Sequence, residues 1–236
     1  MTEVATRYRL KISQDHDAEA PRWDPVSRFV TWHRGYTIGD EQPKEEPLDY
    51  MLAQLPSDVQ EQIEQEIRDY PDTSAVGGDR EWEEWCREFT RWKAGRIGEE
   101  FDKLYIYLPV HAYIHSGITI STGTFSCPWD SGQLGLIYIS KESAAKEWNA
   151  NEEKALEYLE AEIKDYDQYL QGNVWGFQVH EVQVCNLGHE HLEDTDSCWG
   201  FYADSWEECR DQMAEHFEPV FTDEEWEKAW DDRSCG

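Results

Sequence analysis

A chain of 236 residues is long enough to bury a sizeable core, and 12 Trp, 12 Tyr and 8 Phe exclude an intrinsically disordered one. Fifty-one Asp and Glu against 21 Lys and Arg give a formal charge of -30, which argues against direct gripping of nucleic acid or of an anionic membrane surface. No run of about 18 apolar residues offers a membrane span, the N-terminal MTEVATRYRLKIS lacks the apolar stretch of a signal peptide, and the six cysteines (86, 127, 185, 198, 209, 235) follow no tight disulfide framework. The expectation is a cytoplasmic protein with free, mostly buried thiols.

Taken in chain order, YRLKIS (8–13) and SRFVTWH (27–33) read as strands, rich in β-branched and aromatic residues, with loops at 15–25 and 39–47. Ser57 followed by Gln60 is the spacing of a capping box, and Val59, Ile63, Ile67 and Tyr70 then share one helical face. After the break PDTSAVGGD, Asp79 is expected to cap a second helix. Its Trp82, Trp85, Phe89 and Trp92 recur at spacings of three and four, the mark of a buried stripe. KLYIYLPV, GITIST and LGLIYIS read as strands, with Asp130, Ser131 and Gly132 forming a hairpin connection. A long helix is expected over 141–170, interrupted near Asn149 to Asn151. Strands follow at 173–184 and 196–202, and two short helices close the chain. Trp206, Cys209, Met213 and Phe217 share a face of the first, and Thr222 with Glu225 makes a capping box for the second.

No internal repeat or linker divides the chain. The expected fold is a single α+β domain over 1–236, a mostly antiparallel sheet packed with amphipathic helices, with an acidic helical C-terminal portion from about residue 203. A dinucleotide-binding βαβ fold would need a glycine-rich phosphate turn, which is lacking.

Chemical motifs are weak. Cys127 with His115 as base is conceivable, but Pro128 follows the cysteine and a strand follows the turn, unlike a nucleophile elbow. Cys185, His189, His191 and Cys198, with the His111 and His115 pair, supply zinc-type ligands at spacings that fit no standard template. The acidic DHD and DYD pieces lack the ladder of a calcium loop. No catalytic residue, metal or cofactor is assigned.

Charge is the stronger signal. Residues 151–236 hold 24 acids and five bases, against four and three in residues 101–150. In the helix from 151, Leu156, Leu159, Ile163, Tyr166 and Leu170 form an apolar stripe, while Glu153, Glu157, Glu160 and Asp167 run along another face with Lys164 interposed. Members of such a row stand about 5.4 Å apart, close to the scale of neighbouring phosphates along DNA. These four and Asp165 are the candidate partner-binding residues. The bland alternatives are a solvated helix face and salt adaptation, the latter disfavoured by Glu (31) exceeding Asp (20). An aromatic patch at Trp206, Trp226 and Trp230 is the fallback surface.

Several phrases carry a resemblance: HSGITIST with FSCPWDSGQLGLIYISKE, then YDQYLQGNVWGF, then DSCWGFYAD, with some likeness near WHRGYTIGDEQ. Over about residues 105–205 the chain resembles a family of small acidic proteins encoded by bacterial phages and integrated mobile elements. That family has no established activity, so the resemblance implies an origin and no catalytic residues, and the stretch CNLGHEHLEDT looks like an insertion. By analogy of context and charge, the expected function is an anti-defence inhibitor of anti-CRISPR or anti-restriction type. It would act as a nucleic-acid mimic on a basic host protein or nucleoprotein defence complex. The alternatives are a Cys/His-centred enzyme or zinc-binding protein, and an acidic structural or accessory phage protein.

Overall fold

A computed structural model of the chain describes residues 6–71 and 79–233. Alternation of side chains sets the first sheet: in β1 (Tyr8–Gln14) Leu10 and Ile12 are buried while Arg9 and Lys11 are exposed. β1 pairs antiparallel with β6 (Val174–Val184), bringing Leu10 opposite Val179 and Ile12 opposite Phe177. β6 pairs antiparallel with β7 (Glu190–Tyr202), giving the order β1-β6-β7. The segment read as an insertion is the far end of this β6–β7 hairpin. β7 is therefore an edge strand, exposed along most of its length, and its Glu193, Asp194 and Asp196 are the kind of charges that discourage edge pairing.

The second sheet contains β2 (Arg28–Thr31), β3 (Tyr105–Ile114), β4 (Ile118–Ser121) and β5 (Ser131–Ser140), in the order β2-β5-β3-β4. This corrects the hairpin expected at Asp130 to Gly132. β5 lies beside β2 and β3, away from β4, and Ser131 and Gly132 are already strand residues. The fold is α+β, and the pairings β1–β6, β6–β7 and β2–β5 are antiparallel.

Seven helices accompany the sheets in the described residues. α1 (Pro47–Ala53) begins where a loop was expected to end, with Pro47 in the first turn, where its missing N–H costs nothing. α2 (Ser57–Asp69) has Pro56 as its N-cap with no side-chain cap, so the capping box expected at Ser57 does not form. The Gln60 amide instead donates to the carbonyls of Leu55 and Ala53 (2.6 and 3.3 Å). α3 (Asp79–Leu104) takes Asp79 as its first helical residue and runs 26 residues, further than the stripe alone suggested. α4 (Lys141–Trp148) and α5 (Glu152–Gln171) are separated at the expected point, where Asn149 (φ 53°) and Ala150 (φ 61°) adopt the left-handed conformation. α6 (Trp206–Met213) and α7 (Asp223–Asp231) close the fold.

The described chain forms two compact units. The first, built from the segments 1–21, 113–121 and 162–236, centres on Ile12, Trp175, Phe177, Val179, Met213 and Trp226. Trp226 is 2% exposed and Trp206 and Trp230 pack against this core, so the fallback aromatic patch is structural. The second, residues 22–112 and 122–161, centres on Val30, Tyr50, Ile63, Ile97, Phe101 and Tyr138. There the hydroxyls of Tyr50 and Tyr138 meet at 3.0 Å, and burial raises the pKa of both phenols.

α7 carries the capping box read from the sequence. Thr222 Oγ1 accepts from the Glu225 N–H while the Glu225 carboxylate accepts from the Thr222 N–H. Replacing Thr222 with Ala is expected to destabilise this unit by about 1 kcal/mol, read as a lower urea midpoint with an unchanged slope.

Candidate functional site

In the second unit α4 begins on a capped Ser140, whose Oγ accepts from the Ser143 N–H, and the left-handed break at Asn149 and Ala150 redirects the chain into α5. Ala155 and Leu159 are buried and seat the first half of α5. About a third of a turn or more away from that stripe, Glu153, Glu157 and Glu160 are exposed. None of the three carries an ion pair among the described residues. By contrast, the neighbouring Glu152 bonds Lys141 at 2.9 Å. The three carboxylates therefore stand on a helix whose register is fixed by burial, separated by roughly one turn each.

The other two residues of the expected row lie in the first unit and differ from the trio. Asp165 is exposed but sits a third of a turn off the line of Glu153, Glu157 and Glu160. Partial desolvation, aided by the nearby Glu162 and Glu208 carboxylates, raises its pKa above the ordinary value. Asp167 is half-buried and already committed: Oδ1 accepts from the Ile120 N–H at 2.7 Å and Oδ2 from the Gln171 amide at 2.5 Å. Its burial raises its pKa, opposed by these two hydrogen bonds. Asp167 thus anchors the start of α5's last turn to β4 and is not a free member of a charged row. Lys164, interposed in sequence, is drawn to Glu208 at 2.7 Å.

The aromatic stripe of α3 departs most from expectation. Trp82 is 51% exposed, and Trp85, Phe89 and Trp92 are only half-buried. The rings pack on one another instead of on a sheet: Trp82 on Trp85 (centroids 5.3 Å), Trp85 on Phe89 (5.1 Å) and Phe89 on Trp92 (6.0 Å), with Tyr70 against the last three. Helical periodicity places residues on one face but does not say what covers it. In α3 the buried residues are Ile97 and Phe101, in the last turns.

The cysteine and histidine candidates do not assemble. Cys127 is half-buried, its thiol 3.8 Å from Asp130 Oδ2, and its carbonyl accepts from the Ser131 hydroxyl. His115 belongs to the other unit. In the β6–β7 hairpin, Cys185 and His189 are joined through their backbones in the turn, His191 stands opposite Gln183, and Cys198 stands seven residues further along, opposite Phe177. Among the described residues no group of three or more His, Cys, Asp or Glu is placed to hold a metal ion. Cys209 is fully buried in the first core, which pushes its thiol up to about 12. Cys235 lies outside the described residues.

No helix among the described residues is long and apolar enough to cross a membrane. No protein-family model, curated protein or solved structure matches the chain.

Proposed function

We propose that this chain is a phage-type anti-defence protein that occupies the basic, nucleic-acid-binding surface of a host defence protein in place of nucleic acid. The observation that carries the reading is the exposed, unpaired trio Glu153, Glu157 and Glu160, one helical turn apart on a helix held by buried Ala155 and Leu159. Carboxylates fixed at that spacing meet a basic cleft with the charge it expects of a phosphate backbone. The net charge of -30 gives long-range attraction to such a surface and repels nucleic acid itself. The phage and mobile-element resemblance of the sequence supports the same context.

The test is capture from a bacterial host lysate on the immobilised chain, followed by competition on the purified partner. The captured protein should bind duplex DNA or RNA by itself, lose that binding when the chain is added, and release the chain as salt rises. A captured partner that holds nucleic acid and this chain simultaneously, with no competition, sinks the mimicry reading.

A further inference from the structure

The first unit is strongly acidic, with 24 Asp and Glu against seven Lys and Arg. Four of those seven nevertheless meet at one place. Arg7, Arg9 and Lys11 of the β1 segment and Lys228 of α7 line a cleft of about 610 Å³. Its apolar surface comes from Leu10, Leu192, Phe221 and Ala229. His180, 8% exposed, also lines it, with Nδ1 2.5 Å from Asp194 Oδ1.

In the lining the cations outnumber the carboxylates, Arg7, Arg9, Lys11 and Lys228 against Glu225 and Asp232. Glu225 lines the cleft and accepts from both the N–H and the hydroxyl of Thr222 (2.8 and 3.1 Å), which holds it at the N-terminus of α7. Asp232 is the other acidic lining residue. Arg7 and Arg9 share the single exposed carboxylate of Glu190, the Arg9 bond measuring 2.8 Å. Lys11 and Lys228 carry no ion pair among the described residues, in a unit where acids outnumber bases more than threefold. Two lysines left unpaired on the same concavity, against such odds, make a positive site on a negative protein. Its volume falls within the range of about 300–1,000 Å³ usual for small-molecule pockets, and it combines a polar end with an apolar wall as such pockets do.

We propose that this cleft binds a small molecule with an anionic head, phosphate or carboxylate, and an apolar body. Lys11 and Lys228 supply the charge for the head, with Arg9 available as Glu190 is displaced, and Leu10 and Phe221 supply the surface for the body. The surrounding negative field excludes a polyanion such as nucleic acid but falls within a Debye length, so it leaves a small anion able to enter.

The experiment is a fluorescence titration of the full chain with 1-anilinonaphthalene-8-sulfonate, an aromatic body bearing one anionic group. The wild type should show saturable single-site binding, and the double variant Lys11→Glu, Lys228→Glu should lose at least about tenfold in affinity. Both lysines are exposed, so the variant should stay folded, with a slightly lower thermal midpoint because Lys228 stands in the last turn of α7, where a cation favours the helix; the milder Lys11→Gln, Lys228→Gln pair should show a smaller loss of affinity in the same direction. Displacement by inorganic phosphate below the concentration needed for benzoate assigns a phosphate head, and the reverse order a carboxylate. Absence of saturable binding, equal binding by the charge-reversed variant, or displacement by neither anion overturns the proposal. Both variants leave Glu153, Glu157 and Glu160 untouched, so the outcome is independent of the acidic helix.

Discussion

Reversing Glu153, Glu157 and Glu160 to Lys should weaken binding to the proposed basic partner by orders of magnitude while leaving the fold in place. Each carboxylate alone is worth little, because water and salt screen an exposed charge. The three together change the local charge by six units on one helix face, and the losses appear mainly as slower association. The fold should hold because Ala155 and Leu159, which seat this part of α5, are unchanged. Glu153 lies in the first turn, where an acid favours the helix dipole, so a Lys there costs on the order of 0.3–1 kcal/mol. The measurement is association kinetics of wild type and triple variant at two salt concentrations, with circular dichroism to verify folding. A folded triple variant that binds at the wild-type rate, or a wild-type rate indifferent to salt, removes this face from consideration. Asp167→Asn serves as the contrast: it disturbs the bond to the Ile120 N–H and should show up in stability more than in binding.

Replacing Gly135 with Ala should destabilise the second unit by about 3 kcal/mol or more, the upper end of what overpacking costs. β5 passes so close to β2 at this residue that an added Cβ would stand 2.0 Å from the Val30 carbonyl oxygen and 2.9 Å from the Thr31 Cα. Both are backbone atoms of a buried strand, so relief requires the strands to separate and the pairing around Val30 and Leu136 to loosen. Gly132, three residues earlier in the same strand, meets nothing within 4 Å. Gly132→Ala should therefore change stability by no more than about 0.5 kcal/mol. Urea unfolding of both variants decides the matter, and similar midpoints for the two would show that the β2–β5 contact is looser than its geometry.

The elements that were legible in the sequence are those with a local signal. β1, β6, α6 and α7 followed from alternation, periodicity and the Thr222 to Glu225 spacing, because those signals reside in the residues that form the structure. The break before α5 was legible because Asn tolerates a left-handed backbone. What was not legible depends on distant partners. The Arg22 guanidinium holds Asp40 through two bonds (2.7 and 2.5 Å), and Asp40 in turn accepts from the Phe29 N–H. This pins two segments that read as loops, and nothing local marks either residue. Strand order in the second sheet is likewise non-local, so the turn residues before β5 do not say which strand β5 joins. At the candidate site, helical spacing correctly put Glu153, Glu157 and Glu160 on one face, but it could not tell a free carboxylate from Asp167, whose partner lies 47 residues away. The cationic cleft left no trace in the sequence, since its members are contributed by opposite ends of the chain.

The self-packed rings of α3 have an optical consequence. Indoles 5.3 Å apart with planes 18° from parallel, as in Trp82 and Trp85, couple their electronic transitions and share the excited state between them. Their signature in ultraviolet circular dichroism would report on the ring stack of α3, while buried Trp226 reports on the core of the other unit. Trp175 and Trp230, 4.9 Å apart at 59°, form a second coupled pair in that other unit, distinguishable by its geometry. The chain thus carries a native chromophore in each unit. Events on one can be followed separately from events on the other without attaching any dye.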